Sequence, residues 1–189
     1  ELEDDLGNPV DSVEYFDSGR WPEWADGGGS SIELRDPRAD NSKGEAWAAS
    51  DETGGTAWKT YSYRQVATAN IGPAQWNEFV IGLLSAGEVL IDDLSVVQSP
   101  GSSPKQILQN GSFQTGATAW RILGNHRHSA VIDDPDSPGN KVLHLVSTGQ
   151  TEHMHNHLET TLVGNASAPN GVEYQVSFRA RWLAGSNQF

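Results

Sequence analysis

Apolar and polar positions alternate over short stretches of the chain, a pattern that predicts β-strands joined by turns. Residues 10–16, VDSVEYF, alternate apolar with polar side chains, and residues 57–66, AWKTYSYRQV, alternate aromatic with polar ones. Residues 76–84 and 89–97 are mainly apolar, and their length and β-branched residues favour buried strands over helices. Together these stretches predict an all-β protein with under about 10% helix.

The second half of the chain repeats this pattern in a weaker form. Strand-length stretches lie at residues 141–147, KVLHLVS, at residues 153–162, HMHNHLETTL, and at residues 170–185, NGVEYQVSFRARWLAG. In each half a leucine-containing strand precedes one with alternating aromatic residues, but the second half stops at Phe189 before its closing strands. We therefore expect its unit to be incomplete by about two to four strands of typical length.

An incomplete sandwich leaves a sheet edge and apolar side chains uncovered. Val176, Phe178 and Trp182 lie on the last predicted strand. We expect them to be exposed, or covered by something outside residues 101–189, such as a neighbouring subunit, the first half or further chain. The open edge also makes self-association a candidate interaction.

Several motifs resemble known families. Residues 5–50 contain VDSVEY, then WP…DGGGSSIELRDP, then DN…AW, and in this order they resemble the C-terminal part of a bacterial lamin-tail domain. That resemblance implies an immunoglobulin-like sandwich whose earlier strands would precede Glu1, in a large exported protein. The ending IDDLSV, the opening NGSF…G…W and the strand G-x-x-Y-x-V-SF-x-A resemble jelly-roll carbohydrate-binding modules. Those modules are two-sheet antiparallel sandwiches.

These patterns divide the chain into four parts. The resemblances imply that residues 1–50 are the C-terminal part of a lamin-tail-like β-sandwich and that residues 51–98 are a jelly-roll-like half that ends in the IDDLSV strand. Residues 99–105, SPGSSPK, have the composition of a linker. We expect residues 106–189 to be a second carbohydrate-binding-like unit that is cut short. The expected fold class is all-β, with antiparallel β-sandwich or jelly-roll units of which the second is incomplete.

Charge is distributed unevenly over the 189 residues. Residues 1–100 carry 19 acidic and 6 basic side chains, whereas residues 101–189 carry 6 of each. The acidic first half argues against nucleic acid as a partner, because phosphate binding needs a cationic surface. The chain has no cysteine, which excludes disulfides and thiolate metal sites. No apolar run approaches about 18 residues, so the sequence predicts no membrane span.

Histidines with alternate spacing suggest a site for a transition metal. On a strand, His153, His155 and His157 would share one face, and His126 and His128 have the same spacing. Alternate residues lie about 6.5–7 Å apart, so three rings on one straight strand cannot reach one ion. Two of these rings with one from the HRH loop could hold Zn²⁺ or Cu²⁺. The alternative is a polar face that contacts water or sugar hydroxyls.

A second candidate ion is calcium. Asp133, Asp134 and Asp136 place hard oxygen donors in one tight loop, although their spacing differs from that of a helix–loop–helix calcium motif. A plain acidic turn is the alternative. Asp92 and Asp93 lie within a predicted strand, so at least one of them should point inward or pair with a cation. In the jelly-roll modules that the chain resembles, such aspartates can help to bind a structural calcium ion.

Sugar binding requires an aromatic platform and polar groups on a concave surface. The candidate carbohydrate-binding residues are Trp120, Arg121, Asn125, Arg127 and Asn156, with the neighbouring histidines His126, His155 and His157. Further platforms in the first half are Trp21, Trp24, Trp58 and Trp76. Packing in the core is the alternative for each tryptophan.

The sequence therefore predicts a non-catalytic recognition or adhesion module that binds a polysaccharide or cell-surface glycan. The lamin-tail resemblance implies that its parent is secreted by a bacterium or displayed on the cell surface, and that parent could carry a catalytic domain elsewhere. No catalytic residue is assigned, because the sequence has no nucleophile elbow, phosphate loop or HExxH-type motif. One alternative is a structural subunit of an extracellular filament or surface layer. Another is a metal-binding protein or metalloenzyme that uses the histidines.

Overall fold

A computed structural model describes residues 2–16, 18–22, 25, 30–50, 57–68 and 77–189. Strands make up 41% of this part and helical residues 6%, which confirms the predicted all-β class. In the described part of the chain the helical residues form only short 3₁₀ turns, which include Gly44–Ala46, Gly124–His126 and Val163–Asn165.

The described strands follow one another along the chain with short connections. In chain order they are β1 (Leu2–Glu3), β2 (Pro9–Asp11), β3 (Ile32–Leu34), β4 (Trp47–Ala49), β5 (Lys59–Val66), β6 (Glu78–Ile81), β7 (Gly87–Gln98), β8 (Lys105–Gln106), β9 (Trp120–Ile122), β10 (Ala130–Asp133), β11 (Lys141–Ser147), β12 (Leu158–Thr161) and β13 (Glu173–Gly185).

Two antiparallel sheets face each other. The large sheet has the order β10–β11–β7–β13–β5, and β8 also pairs with β7. The small sheet has the order β6–β12–β9, while β1–β2 and β3–β4 form separate two-stranded sheets in the N-terminal part. The long strands β7 and β13 run side by side from Tyr174 opposite Gln98 to Gly185 opposite Gly87. This pair forms the centre of the large sheet.

The core lies between the large and the small sheet and follows the period of two that strands impose. Side chains that alternate along β7 and β11, such as Val89, Ile91, Leu143 and Leu145, are almost wholly buried. They pack in one cluster with residues of the small sheet, among them Leu158. Burying one such side chain stabilises the fold by about 1.5–3 kcal/mol, so this layer holds the two sheets together.

A β-bulge interrupts β7 at the two aspartates of the IDDLSV motif. Asp93 has a φ of +51°, and the pairing with β13 shifts register at this point. The extra residue turns both Ile91 and Leu94 toward the core, although they are three residues apart. Asp92 is buried beside Arg179 at 3.2 Å, which confirms that one of the two aspartates points inward and pairs with a cation.

Two predicted strands are much shorter than their alternating patterns. In the stretch 10–16 only the residues up to Asp11 form a strand, which pairs with the two residues of β1. In the stretch 153–162 only Leu158–Thr161 is a strand, and the residues before it form a turn. Alternation describes two faces, but a strand also needs a neighbour with which to exchange hydrogen bonds. The prediction for residues 153–157 was therefore wrong.

The predicted linker at residues 99–105 is the turn of a hairpin in this structure. Gln98, the last residue of β7, lies opposite Lys105, the first residue of β8. Strands from both sides of this turn share the large sheet, because β7 lies between β11 and β13. The two predicted jelly-roll parts thus contribute to one core. The first half also supplies cover for the last strand, since Tyr61 stacks on Phe178.

Candidate functional site

His126, a candidate metal ligand and sugar contact, is a core residue. It ends the 3₁₀ turn Gly124–His126 and is fully buried. Its Nε2 accepts a hydrogen bond of 2.9 Å from the backbone N–H of Leu83, and its Nδ1 has no hydrogen-bond partner among the described residues. Burial and the nearby His157 lower the pKa of His126 to about 4. The ring is therefore neutral near pH 7, and the nitrogen that accepts is already used.

His157 belongs to an ion network on the outer face of the small sheet. Its Nε2 lies 3.0 Å from Glu159, which also accepts a hydrogen bond of 2.6 Å from Arg121. Arg121 donates a second bond of 2.5 Å to Glu78. The hydrogen bonds from Arg121 and His157 lower the pKa of Glu159. Arg121 thus bridges two carboxylates across three strands, which leaves few of its donors for a ligand.

The other histidines of the predicted row lie in the turn before β12. Their rings still follow one another, with centroids 5.2 Å apart for His153 and His155 and 6.4 Å apart for His155 and His157. The turn forms because Asn156 N–H donates to the carbonyl of His153. His128 is exposed. Within the described residues, no group of three or more His, Asp or Glu side chains is arranged to hold a metal ion.

Trp120, the proposed sugar platform, packs inside the sandwich and is only 8% exposed. Its ring lies 5.6 Å from that of Phe113 and 6.4 Å from that of Phe79, and its indole N–H donates to the carbonyl of Asn110. The alternation of β9 turns Trp120 inward and Arg121 outward. The prediction of a stacking platform at Trp120 was wrong, because a buried ring offers no face to a sugar.

Asn125 and Asn156 connect two loops. Asn156 Oδ1 accepts a bond of 3.2 Å from the backbone N–H of Asn125, whose side chain donates to the carbonyls of Gly149 and Gln150. Gly124, with a φ of +57°, permits this contact, since a Cβ there would lie 2.1 Å from Asn156 Oδ1. The two asparagines therefore act in loop packing. Of the predicted sugar contacts, Arg121, Arg127 and His155 are exposed, and Arg121 is held by its two carboxylate partners.

The acidic loop brings carboxylates from distant segments together. Asn140 Nδ2 donates to both Asp92 and Asp134 at 3.0 Å, and these carboxylates are buried. Asp136 accepts hydrogen bonds from Trp58 at 3.0 Å and from Arg181 at 2.6 Å.

Asp133 points away from this cluster to Lys141, whose hydrogen bond lowers the pKa of Asp133. The clustered oxygens face amide, indole and guanidinium N–H groups, because Arg179 lies 3.2 Å from Asp92 and 3.3 Å from Asp93. A calcium ion would have to compete with these N–H groups for the same oxygens. Protein donors thus already occupy carboxylates of the predicted calcium loop, although four aspartates (Asp92, Asp93, Asp134 and Asp136) face only two arginines here, Arg179 and Arg181.

A groove on the large sheet was missed by the sequence reasoning. It is called the aromatic groove here, has a volume of about 420 Å³, and its main lining residues are Lys59, Tyr61, Phe178, Trp182, Asn187 and Phe189.

The rings of the aromatic groove are ordered by the pairing of β5 with β13, which places Tyr61 opposite Phe178. These two rings stack with centroids 5.4 Å apart, and Phe189 meets Phe178 edge-on at 5.6 Å. Tyr61 is 47% and Phe189 42% exposed, so both rings are accessible to a ligand. The signal in the sequence was the aromatic alternation of the two strands.

Of the remaining predicted platforms, Trp58 lies beneath the Arg179 guanidinium at 4.8 Å. Trp24 and Trp76 lie outside the described residues. Trp21 lines a separate cleft in the N-terminal part.

No protein-family model, curated protein or solved structure matches the chain. The resemblances to lamin-tail domains and carbohydrate-binding modules therefore stay predictions. Among the residues that the structure describes, no helix is long and apolar enough to cross a membrane.

Proposed function

We propose that this chain is a non-catalytic recognition module that binds a neutral polysaccharide in the aromatic groove. The observation that carries the proposal is the pair of accessible rings, Tyr61 and Phe189, which contact Phe178 in the aromatic groove. The motif resemblances support an extracellular or cell-surface location in a bacterium.

The groove combines the two features that sugar binding needs. A pyranose ring has a face of C–H groups that an aromatic ring can cover, while its hydroxyls need polar partners. Lys59 and Asn187 line the same groove and offer donors and an acceptor. Its volume of about 420 Å³ falls in the range of about 300–1,000 Å³ that is common for small-ligand sites.

Charge favours a neutral polymer. The chain carries a formal net charge of −13 at pH 7, so its field repels polyanions at a distance. Uncharged plant or microbial polysaccharides meet no such barrier. The charged residue among the described lining of the groove is Lys59, so the preference for a neutral glycan depends on the net charge of the whole chain.

The test is retention on insoluble polysaccharides together with a glycan array, using the whole chain. We expect Tyr61→Ala to weaken binding by about tenfold, because stacking and apolar burial are lost. Tyr63→Ala is the matched control: Tyr63 lies on the same strand and is 66% exposed, but it is outside the groove. Equal losses for the two variants, or no retention on any polysaccharide, would refute the proposal.

A structural role in an extracellular assembly is the second candidate function. β5 is the edge strand of the large sheet, and all eight of its residues are exposed. The N–H and C=O groups on its open side can pair with another chain. Light scattering and electron microscopy that show fibres or ordered arrays, together with no glycan retention, would favour this role over sugar recognition.

A further inference from the structure

The N-terminal part contains a second cleft, which is lined by three aromatic rings. Its volume is about 590 Å³, and the rings belong to Tyr15, Trp21 and Trp47. The Trp21 ring lies 6.4 Å from Tyr15, nearly edge-on at 60°, and 6.2 Å from Trp47 at 30°. Trp47 is fixed because it starts β4 and its indole N–H donates to the carbonyl of Asn41 at 2.8 Å. This set of rings is called the aromatic cage below.

The polar groups that line the cage are a carboxylate and hydroxyls, which suit a cation. Among the described residues that line the cage, Asp11 carries the charge. One oxygen of the Asp11 carboxylate accepts a hydrogen bond of 2.6 Å from Asn41 Nδ2. Ser30 also lines the cleft, and its buried hydroxyl has no hydrogen-bond partner among the described residues. The lining thus offers a carboxylate and a hydroxyl but, in the described part, no cationic side chain.

The charge around the cage favours a cation. Residues 1–50 carry 13 acidic and 4 basic side chains, a net charge of −9. Two of the basic side chains already face acidic partners, since Arg20 lies 3.5 Å from Glu45 and Lys43 lies 3.0 Å from Asp40. A negative field of this kind raises the local concentration of cations and disfavours anionic ligands.

We propose that the aromatic cage binds a methylated ammonium group of the quaternary type. Aromatic faces attract a cation that lies within about 6 Å of their centroids. The Trp21 centroid lies 6.4 Å from that of Tyr15 and 6.2 Å from that of Trp47, so a cation beside Trp21 can also lie near a neighbouring ring. Methyl groups bury apolar surface against the rings and make the cation easier to remove from water than a primary ammonium, which is strongly hydrated. Asp11 supplies the counter-charge. This site is separate from the aromatic groove and does not depend on sugar binding.

The test compares choline with its neutral carbon isostere, 3,3-dimethylbutan-1-ol, on the whole chain. Calorimetry and the change in tryptophan fluorescence should show saturable binding of choline that is at least about tenfold tighter than that of the isostere. Tetramethylammonium should compete with choline. Equal affinity for choline and the isostere would mean that the cleft is merely apolar, and no saturable choline binding would likewise overturn the proposal.

Variants locate the site. Asp11→Asn and Tyr15→Leu should each weaken choline binding by about threefold or more, since one removes the counter-charge and the other an exposed ring. Asp5→Asn is the control, because it removes the same charge in the same region but does not line the cage. Circular dichroism checks that each variant folds. If all three variants bind choline like the wild-type chain, the aromatic cage is not its site.

Discussion

The N-terminal part, residues 2–50, and the sandwich that follows are stabilised in different ways. In the sandwich, β7 has 12 and β13 has 13 residues, and the side chains between its sheets are almost wholly buried. In the described residues of the N-terminal part each strand has two or three residues, and Ala46 is its one buried hydrophobic side chain. Burial of apolar surface therefore dominates in the sandwich and contributes little before it.

Local contacts replace a core in the N-terminal part. Asp4 accepts hydrogen bonds from the backbone N–H groups of Leu6 and Asn8, and those from Asn8 lower the pKa of Asp4. The rings of Trp21 and Trp47 add aromatic contacts. Such contacts are each weak, because they are shared with solvent. The sandwich is therefore stabilised mainly by its own core, whereas a bound ligand or neighbour would add relatively more to the stability of the N-terminal part.

The two regions should differ most in how much stability is lost when a leucine is replaced by alanine. Leu145→Ala should lower the free energy of unfolding by about 2–5 kcal/mol, because this side chain is fully buried and leaves a cavity. Leu6→Ala should change it by less than about 0.5 kcal/mol, since Leu6 is 82% exposed. Urea unfolding of both variants measures this. Similar losses would show that the N-terminal part is as well packed as the sandwich.

The next effect depends on pH and belongs to the sandwich alone. The pKa of His126 is about 4 in the folded chain, against an ordinary value of 6.5. Between these values the unfolded chain binds the proton and the folded chain does not, so stability falls as pH drops. Above pH 6.5 the His126 ring is neutral in both states and does not lower the free energy of unfolding. By about pH 4 its protonation in the unfolded chain has lowered that free energy by about 3 kcal/mol.

Urea unfolding at a series of pH values measures this loss. His126→Gln keeps a neutral acceptor near Leu83 N–H and should flatten the pH dependence, at some cost in stability at pH 7. His153→Gln, in the exposed turn, is the control and should retain the wild-type slope. A wild-type slope in His126→Gln would show that other groups cause the acid sensitivity.

The smallest effect compares two glycines with left-handed backbones. Gly124→Ala should cost about 2–3 kcal/mol, because its φ is +57° and a Cβ would lie 2.1 Å from Asn156 Oδ1. Gly7→Ala, in the hairpin of β1 and β2, should cost about 1 kcal/mol from strain alone, since its φ is +78° and nothing lies within 4 Å. Thermal unfolding decides. Equal losses of stability in the two variants would mean that the loop around Asn156 moves to accommodate the Cβ at no cost in free energy.

The all-β class and the places of the strands with strong patterns could be predicted from the residues alone. Residues 141–147 form a strand with the predicted bounds, and most of 57–66, 89–97 and 170–185 is also strand. Side-chain alternation and β-branched residues are local properties, so they can be recognised without knowing the neighbours. The pattern failed at residues 153–157, where alternation was present but a partner strand was not.

The buried face of each strand and the contacts between distant groups depend on how the sheets pack. That packing placed Trp120 in the core and made His126 a buried acceptor. It also put β7 between two strands of the second half and paired β5 with β13, and the second pairing stacks Tyr61 on Phe178 in the aromatic groove. These outcomes depend on contacts between residues far apart in the chain. Local alternation gives a strand two faces, and only packing against the rest of the molecule selects between them.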